Sequence, residues 1–569
     1  IFLNTPSTNK KGDTDMIPLI VIFIYLLVIA YIGSVAYKQS KNSTEDFFLA
    51  GRTIGSFVFF LSLFATNMTA FAILGSSGAA YKQGIGIFGM MAASSAFVIP
   101  FTIFFIGTRL WALGKKFGHM TQVQYFRDRW ECSGIGTAIF VLSVIMLIPY
   151  LIISIKGGGI VLEEISIAKG ATNPLIPFWL GCLIVAVVVT VNVFFGGMRG
   201  VVWVNVFQTI LFLLFGAVAV IVISNNLPGG LSATIAQMAN DTRTGHLLSR
   251  ERMPAELFGS YFLIPLSSIM FPHMAIMCLS ARKMSAFKQT VIAYPIAIMA
   301  IWLPCVFLGV VGAQLIPGVQ NSDTILLKLL SEYAPVWLAG LLGAGIISAV
   351  MGSDCHQVLA LSTMFTKDIY EYYGGEKSKS VPFARVFIIV LTIIAYLIAL
   401  VSPTSIFELA VQFAFSGFAA LAPVMVAALF WRRSTKWGAL ASTLYVAFWL
   451  LFSGYLTNIS DAIAPKPPTR AAAQVRPAGQ LGAPSGINPD SVTSPMASGK
   501  PAAPKKPITS VTIPGYGGMF QRTATTVTFY GYRLVVPMVV GSAILMLLVS
   551  MLTPPPSRET VEKYFPHRA

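Results

Sequence analysis

The chain has 569 residues, of which 55% are hydrophobic and only 11% are charged, and its mean hydropathy is +0.74. A soluble globular protein carries roughly a quarter charged residues. The composition therefore argues against a soluble enzyme, a disordered scaffold and a nucleic-acid-binding domain, and it indicates a membrane protein. The net charge of +17 fits the Lys- and Arg-rich cytoplasmic loops of such a protein.

Thirteen stretches of the chain are apolar and long enough to cross the hydrocarbon core of a membrane, which takes about 20 residues in a helix. In chain order the predicted spans are 17–37, 54–81, 86–111, 134–157, 174–197, 200–224, 256–280, 286–316, 335–366, 382–402, 404–431, 438–458 and 528–552. A polar tail, 1–16, precedes the first span. The sequence therefore predicts an all-α polytopic membrane protein with about thirteen transmembrane helices.

Lysine and arginine concentrate in alternate loops between these spans, for example Lys115 and Lys116 after the third span and Arg432 and Arg433 after the eleventh. The positive-inside rule assigns these loops to the cytoplasm. The N-terminus is then extra-cytoplasmic, and an odd number of spans places the C-terminal tail, 553–569, in the cytoplasm. We expect a multi-pass protein of the plasma (inner) membrane, in contact with lipid.

The segment 459–527 between the last two spans is rich in Pro, Ala, Ser and Gly. Such a composition cannot bury enough apolar surface to offset the entropy of ordering. We expect an extra-cytoplasmic insertion. It is either a tolerated loop or a docking strap for a partner subunit, and the sequence leaves both open.

Polar residues interrupt the second predicted span halfway, at Thr66, Asn67 and Thr69. Their side chains can compensate for backbone groups that a local unwinding frees, and freed carbonyl oxygens are good ligands for a hard monovalent cation. The pattern therefore predicts a broken helix with a cation nearby. Hydrogen bonds to a neighbouring helix are the alternative explanation.

An acidic residue, Asp354, lies well inside the ninth predicted span. A carboxylate at that depth should pair with a cation or face a water-filled cavity. Small residues accompany it, at Gly345, Ala349, Gly352 and Ser353, and these also allow close packing against another helix. Close packing explains the glycines but not the carboxylate.

The seventh and eleventh spans contribute further polar groups. Proline in mid-helix removes a backbone donor and kinks the helix, which predicts a bend at Phe271-Pro272-His273. The imidazole of His273 can donate to an anion or carry a proton, or it makes a structural hydrogen bond. Gln412 lies in an aromatic stretch of the eleventh span, where packing is the alternative to a solute contact.

Motifs of enzymes are missing from the sequence. It contains no Walker loop, no Gly-x-Ser-x-Gly nucleophile elbow, no Cys-x-x-Cys and no His-Glu-x-x-His. We therefore expect neither an enzyme nor an ATP-driven pump with its motor in the same chain.

Four segments have the patterns found at helix boundaries of one transporter family. They are 43–52 (STEDFFLAGR), 196–208 (GGMRGVVWVNVFQ), 363–370 (TMFTKDIY) and 430–439 (FWRRSTKWGA). Together they resemble the sodium:solute symporter family, whose members carry sugars, amino acids, vitamins and monocarboxylates. The resemblance implies two inverted five-helix repeats, 54–224 and 256–431, with flanking helices at 17–37, 438–458 and 528–552 and with solute bound near the midplane.

The resemblance also implies a sodium site between the first helix of one repeat and the third helix of the other. The residues at the matching positions are Ala65, Met68, Ala349, Gly352 and Ser353. Two positions depart from the family pattern, because a second hydroxyl often stands at Gly352 and an aspartate often stands at Asn205. Asp354 and Asn205 are candidate charge partners of the ion.

The Phe-Pro-His segment is similar to the branch of the family that carries pantothenate, acetate and related carboxylates, and a donor imidazole suits an anion. We therefore expect Na⁺-coupled symport of a small organic solute, with a carboxylate favoured and sugars and amino acids left open. The candidate solute-binding residues are Asn67, Thr69, Phe271, His273 and Gln412.

Two other functions stay open at this point. Gly352, Asn205 and the long insertion would fit an accessory or sensory membrane subunit built on a transporter scaffold. Asp354 or His273 would fit a symporter that is coupled to protons. Neither involves a nucleic-acid partner.

Overall fold

The computed structural model describes residues 16–38, 43–167, 173–227, 229–250, 253–402, 406–460, 463, 510–523 and 526–566. The helices, named in chain order, are α1 Ile17–Lys38, α2 Thr44–Leu49, α3 Ser56–Asn67, α4 Phe71–Gln83, α5 Gly86–Phe117, α6 Gln122–Trp130, α7 Ser133–Ile165, α8 Phe178–Asn225, α9 Gly230–Asn240, α10 Ala255–Met270, α11 Pro272–Leu279, α12 Ser285–Leu315, α13 Ile325–Tyr333, α14 Val336–Tyr370, α15 Ser380–Val401, α16 Ile406–Phe430, α17 Lys436–Ser460, α18 Val535–Leu552 and α19 Arg558–Tyr564. The strands are β1 Ser510–Thr512, β2 Phe520–Thr523, β3 Val527–Phe529 and β4 Tyr532–Arg533.

Among the described residues, 10 helices are long and apolar enough to cross a membrane, and two bent helix pairs pass the same test together. The 48-residue α8 consists of two helices, because Gly197 within it has φ 50° and ψ −153°. Only glycine adopts that conformation without strain, and a Cβ there would lie 2.8 Å from the ring of Phe47. With α8 divided at Gly197, the prediction of an all-α polytopic protein with about thirteen spans is confirmed.

The first bent pair is α3 and α4, whose axes differ by 60°. Met68 has extended dihedral angles (φ −93°, ψ 118°) and ends α3. The hydroxyl of Thr69 then accepts a hydrogen bond from the backbone N–H of Phe71 at 3.1 Å, which satisfies a donor at the start of α4. The break therefore falls at the polar residues that predicted it.

The second bent pair is α10 and α11, whose axes differ by 52°. Phe271 turns the chain with φ −59° and ψ 123°, and Pro272 is the first residue of α11. Proline suits that position because its missing N–H would have no helical partner there. The bend at Phe271-Pro272-His273 matches the expectation from the sequence.

Helix α14 is the central element of the helix assembly. It contacts α1, α3, α7, α8 and α15, and most of its residues between Leu338 and Met364 are buried. Glycines permit this close approach, since a Cβ on Gly345 would lie 3.0 Å from the Cβ of Phe215 on α8. A helix that is apolar all round belongs in the interior of a large protein.

Two arginines near the ends of the spans connect distant parts of the chain. Arg199 lies 2.6 Å from a carboxylate oxygen of Asp46, which joins α8 to α2. Arg52 donates to the backbone oxygens of His119 (2.9 Å) and Leu279 (3.3 Å). The Arg52–Leu279 contact thus joins the segment before the first bent pair to the end of the second.

The four strands form one antiparallel sheet in the order β1-β2-β3-β4. Phe520 of β2 packs against Phe452 of α17, with ring centroids 5.6 Å apart. Since the chain is still paired as strands up to Arg533, α18 begins at Val535 and not at the predicted 528. Most of the predicted insertion, 464–509, lies outside the described residues, and so does the predicted partner contact.

Candidate cation and solute site

The break between α3 and α4 leaves backbone carbonyl groups without helical partners. Met68 N–H donates to the carbonyl oxygens of Phe64 and Ala65, both at 3.1 Å. Outside the hydrogen bonds internal to each helix, no backbone N–H in the described part of the chain donates to the carbonyl oxygens of Thr66, Asn67 or Met68. The extended conformation of Met68 interrupts the helical pattern here, so backbone oxygens at the break are candidate ligands.

Helix α14 approaches this break at Gly352. A Cβ built on Gly352 would lie 3.6 Å from the Cβ of Ala65, which belongs to α3. The same point is 3.1 Å from Oε1 of Gln208 and 3.4 Å from Oδ1 of Asn205, both on α8. The missing side chain of Gly352 therefore lets α3, α8 and α14 approach one another closely at this junction.

Hydrogen bonds to the amide nitrogens orient the side chains of Gln208 and Asn205 beside Gly352. Gln208 Nε2 donates to the hydroxyl of Tyr25 at 3.0 Å, and Asn205 Nδ2 lies 2.8 Å from Nδ1 of His356. This orientation is assigned from these partners. Both amides are fully buried, and their oxygens have no hydrogen-bond partner in the described structure.

Buried oxygens without a partner are costly unless something else satisfies them. A desolvated Na⁺ needs several oxygen ligands, and backbone carbonyls at a broken helix are typical donors. In the described residues no three His, Cys, Asp or Glu side chains come together. The oxygens around Gly352 therefore suit a monovalent ion better than a multivalent metal.

The other two predicted ligands on α14 lie within one helical turn of Gly352. Ala349 is buried. The hydroxyl of Ser353 lies 3.4 Å from the hydroxyl of Ser154 on α7, a helix of the predicted first repeat. The structure thus places Gly352 beside Ala65 and Ser353 beside α7, and the predicted ligand set at 65, 68, 349, 352 and 353 stays a prediction.

Asp354 faces a different neighbourhood. Residues two apart in a helix point roughly 200° from each other, so its side chain turns away from the side on which Gly352 meets α3. It lines a small space with apolar side chains of α7, α8 and α15, such as Leu151 and Val189. Its Oδ1 has no hydrogen-bond partner. Asp354 therefore does not lie at the α3–α4 break, whereas Asn205 lies beside Gly352 at the junction with α3.

Aromatic rings gather beside the second bend. The ring of His273 stacks on Phe271, with centroids 5.0 Å apart and an interplanar angle of 19°. Tyr150 lies 5.2 Å from Phe271, 5.7 Å from His273 and 5.1 Å from Phe415, again between centroids. His273 is 1% exposed, and neither of its ring nitrogens has a hydrogen-bond partner. The Tyr150 hydroxyl also lacks one.

The remaining predicted solute residues have partners within the protein. Asn67 Nδ2 donates to the hydroxyl of Tyr294 at 2.7 Å, so its amide faces α12. Thr69 caps α4. The amide of Gln412 donates to the hydroxyl of Thr457 on α17. Of the five predicted residues, the structure gathers Phe271 and His273 into one cluster.

Sequence reasoning missed three residues of this region: Gln208, His356 and Tyr150. Gln208 stands three residues after Asn205 and hence on the same helix face, a spacing that could have identified it. His356 follows Asp354 by two residues and, like it, is a buried titratable group. Tyr150 is one aromatic residue among many, and only the fold brings it next to His273.

Two broken spans in one helical core are characteristic of secondary transporters with inverted repeats. A family model described as the sodium:solute symporter family matches residues 47–445. The chain is 24% identical over 440 residues to a sodium/pantothenate symporter of Haemophilus influenzae, which covers 75% of this chain and 87% of that protein. It is 25% identical over 479 residues to a sodium/proline symporter of Staphylococcus aureus. That match covers 80% of this chain and 90% of the symporter.

Solved structures agree on the fold. A substrate-bound Na⁺-coupled sialic acid symporter superposes with a TM-score of 0.69 at 15% identity, over 95% of this chain and 99% of that one. The nucleobase-cation-symport-1 family transporter Mhp1 superposes with a TM-score of 0.50 at 13% identity. The superposition covers 72% of this chain and 90% of Mhp1.

The chain belongs to the sodium:solute symporter family. It is a multi-pass membrane transporter that couples the movement of a small solute to Na⁺, and Na⁺ is its coupling ion.

Proposed function

We propose that the chain imports a small organic carboxylate together with Na⁺, and that the ion binds between the α3–α4 break and α14. The ligands in this proposal are the backbone oxygens near Ala65 and Met68, those of α14 at Ala349, and the hydroxyl of Ser353. The amide oxygens of Asn205 and Gln208 replace the hydroxyl that Gly352 lacks. The observation that supports this most is the pair of buried, unpartnered amide oxygens beside Gly352.

The carboxylate preference rests on His273. Both ring nitrogens are buried without a partner, and one of them carries a hydrogen that can donate to an anion. The rings of Phe271, Tyr150 and Phe415 offer apolar surface for the body of the same solute. A pantothenate symporter among the relatives fits this class of solute.

The architecture suggests how the two sites are coupled. The repeats 54–224 and 256–431 each begin with a broken span, and both breaks are next to α7, through Gly157 and Tyr150. An ion at Gly352 joins α3 and α8 of the first repeat to α14 of the second. Such an ion stabilises the conformation in which both breaks are assembled, and the solute then binds that conformation more tightly. In this scheme the N-terminus is extra-cytoplasmic and the C-terminus cytoplasmic.

The test is uptake into proteoliposomes with an imposed Na⁺ gradient and a panel of carboxylates, sugars and amino acids. We expect a carboxylate to accumulate against its gradient when Na⁺ is outside, and not when K⁺ replaces it. Accumulation of a sugar or an amino acid instead would contradict the solute assignment. A chain that carries no solute under any gradient would match the accessory or sensory role.

A proton-coupled symporter is the second candidate, and one observation favours it. Asp354 is a buried carboxylic acid in apolar surroundings, with an oxygen that has no partner. Such a group is a possible proton carrier. Uptake driven by a pH gradient without Na⁺, and lost in Asp354→Asn, would support this candidate over the first.

A further inference from the structure

A cavity opens between α1 and the first half of α8. It has a volume of about 330 Å³. Its walls include Ile29, Ala30 and Ser34 on one side and Val187 and Asn192 on the other. Sites for small amphiphiles have this size, with mostly apolar walls and a few placed polar groups.

The cavity is surrounded by surface that faces lipid in a transmembrane protein. Tyr31 and Leu27 of α1 are 69% and 70% exposed, and Val187 and Phe195 of α8 are about half exposed. A cavity that opens on such a surface is accessible to membrane lipid.

The cavity runs from the middle of the two helices toward their loop ends. Ile29 and Val187 line the end nearer the middle of the two helices, and Tyr37 and Phe195 line the end next to the loops, with ring centroids 6.1 Å apart. Asn192 lies between the two ends, beside Gly33. A cavity with this direction suits a lipid, whose acyl chain lies in the bilayer interior and whose headgroup lies at its surface.

Asn192 supplies an unused acceptor. The residue is 6% exposed, and its Oδ1 has no hydrogen-bond partner. Its Nδ2 lies 3.8 Å from the sulfur of Cys355, a contact that holds the oxygen toward Gly33. Gly33 is required there, since a Cβ would lie 2.7 Å from that oxygen.

Two cations adjoin residues at the end of the cavity next to the loops. Lys38 follows Tyr37 at the end of α1. Arg385 of α15 donates to the backbone oxygen of Phe194 at 2.9 Å, beside the cavity residue Phe195. Its guanidinium lies over the ring of Phe194, 5.0 Å from the centroid. Cations at the membrane surface attract anionic headgroups.

We propose that this cavity binds one anionic glycerophospholipid. An acyl chain occupies the end between Ile29 and Val187, a headgroup hydroxyl donates to Oδ1 of Asn192, and the phosphate lies near Lys38 and Arg385. The lipid comes from the leaflet on the Lys38 side, which is cytoplasmic in the proposed topology. The proposal goes beyond transport and does not require the solute assignment to be correct.

The experiment compares lipids on the purified full-length chain in detergent micelles. Phosphatidylglycerol is the probe, because it carries both a phosphate and headgroup hydroxyls, and phosphatidylcholine is the reference. A ligand that binds only the folded state raises the melting temperature. We expect phosphatidylglycerol to raise it more than phosphatidylcholine does, and native mass spectrometry to retain one phosphatidylglycerol per chain.

Three variants locate the effect. Ala30→Phe fills the cavity and should abolish both the extra stabilisation and the retained lipid. Val28→Phe, on the opposite side of α1, is the matched control and should behave as the wild type. Asn192→Leu removes the acceptor and should weaken phosphatidylglycerol binding about 2- to 10-fold, the loss expected for one hydrogen bond.

Equal stabilisation by the two lipids in the wild type would overturn the proposal. So would an Ala30→Phe variant that retains phosphatidylglycerol as the wild type does. Ala30 is exposed to lipid, so this variant is expected to fold, and its melting temperature without added lipid checks that. Because the readout is lipid binding, failure of Na⁺-driven uptake would leave these outcomes unaffected.

Discussion

The proposed cation site departs from the pattern implied by the family resemblance at Asn205 and Gly352. Asn205 and Gln208 both have buried amide oxygens beside Gly352. Partners on other elements, His356 and Tyr25, hold these two side chains. The departures at 205 and 352 therefore need not mean a degraded site. They are compatible with a site whose oxygens come from α8 instead of α14.

Removal of one of these oxygens should weaken Na⁺ binding. We expect Gln208→Leu to raise the Na⁺ concentration needed for half-maximal thermal stabilisation by about 10- to 100-fold, since a hydrogen bond or similar contact to a charge contributes about 1.5–3 kcal/mol. The measurement is a melting-temperature titration with Na⁺ at constant ionic strength. Asn192→Leu is the control, because that buried amide on α8 faces Gly33 and not Gly352. An unchanged midpoint in Gln208→Leu would remove Gln208 from the site.

Asp354 should have little influence on the same titration. Its side chain lies among α7, α8 and α15, away from the break in α3. We expect Asp354→Asn to leave the Na⁺ midpoint within about 2-fold of the wild-type value, because the side chain is on the other side of α14 and supplies no ligand in the proposed site, and the amide that replaces it has the same shape. A large shift of the midpoint would restore Asp354 as the charge partner of the ion, which the sequence left open.

At the scale of elements, the two breaks were predictable and the oxygens around them were not. Polar residues inside an apolar span and a proline in mid-helix are local signals, and both breaks fall where these signals lie. The spacing of Gln208 from Asn205 places both on one face of α8. That this face meets Gly352 and His356 depends on contacts between helices that are distant in sequence, and no periodicity encodes such contacts.

Two other elements show the same limit. The break in α8 at Gly197 coincides with the gap left between two predicted spans, because glycine and arginine there interrupt the apolar run. The strands between Ser510 and Arg533 were missed, since each has only two to four residues and follows a segment rich in Pro and Ala. Strands this short gain their stability from packing against α17 and α10, which the sequence does not show.

The start of α4 depends on one side chain. Thr69 accepts from the backbone N–H of Phe71, so its loss leaves a buried donor unsatisfied. We expect Thr69→Val to lower the free energy of unfolding by about 1 kcal/mol, as for other helix caps, in a thermal or denaturant melt without Na⁺. Thr66→Val is the matched control, because the Thr66 hydroxyl has no partner to lose. Equal effects of the two substitutions would show that the cap contributes nothing specific.

The C-terminal helix α19 docks on the loop around α6. Lys563 lies 2.7 Å from Asp128, Tyr564 donates to the same carboxylate, and His119 Nε2 lies 3.1 Å from it. Burial lowers the pKa of His119 below its usual 6.5, although the neighbouring Asp128 carboxylate acts in the opposite direction. The imidazole therefore binds a proton less readily in the folded chain than in the unfolded chain.

The lower pKa of His119 in the folded chain makes the stability of the fold depend on pH. With the folded pKa of His119 below the unfolded one, the unfolded chain binds more protons as the pH falls through 6.5, so folding loses stability from about pH 7 toward pH 5. We expect His119→Gln to show a shallower decline of melting temperature over this range than the wild type. His246→Gln, in the turn Gly245–Leu248, is the control. An identical decline in His119→Gln would show that another group controls the pH dependence.

At the scale of the whole molecule, the two proposed repeats meet at the junction of α3, α8 and α14 around Gly352. Helix α14 of the second repeat is buried against α3, α7 and α8 of the first, and the unpartnered oxygens lie at this junction. An ion bound there contacts both repeats at once, so its binding depends on how they are arranged. Coupling between ion and solute then follows from the assembly of the junction and needs no direct contact between them.

Direct binding of ²²Na⁺ to the purified chain tests this central claim, in the wild type and in Gly352→Val. The valine side chain displaces the proposed ligand oxygens, since even a Cβ would lie 3.1–3.6 Å from Gln208, Asn205 and Ala65. We predict saturable binding to the wild type and its loss in Gly352→Val, with the circular dichroism and the Na⁺-free melting temperature showing that the variant is folded. Undiminished ²²Na⁺ binding to folded Gly352→Val would contradict the account and place the ion elsewhere.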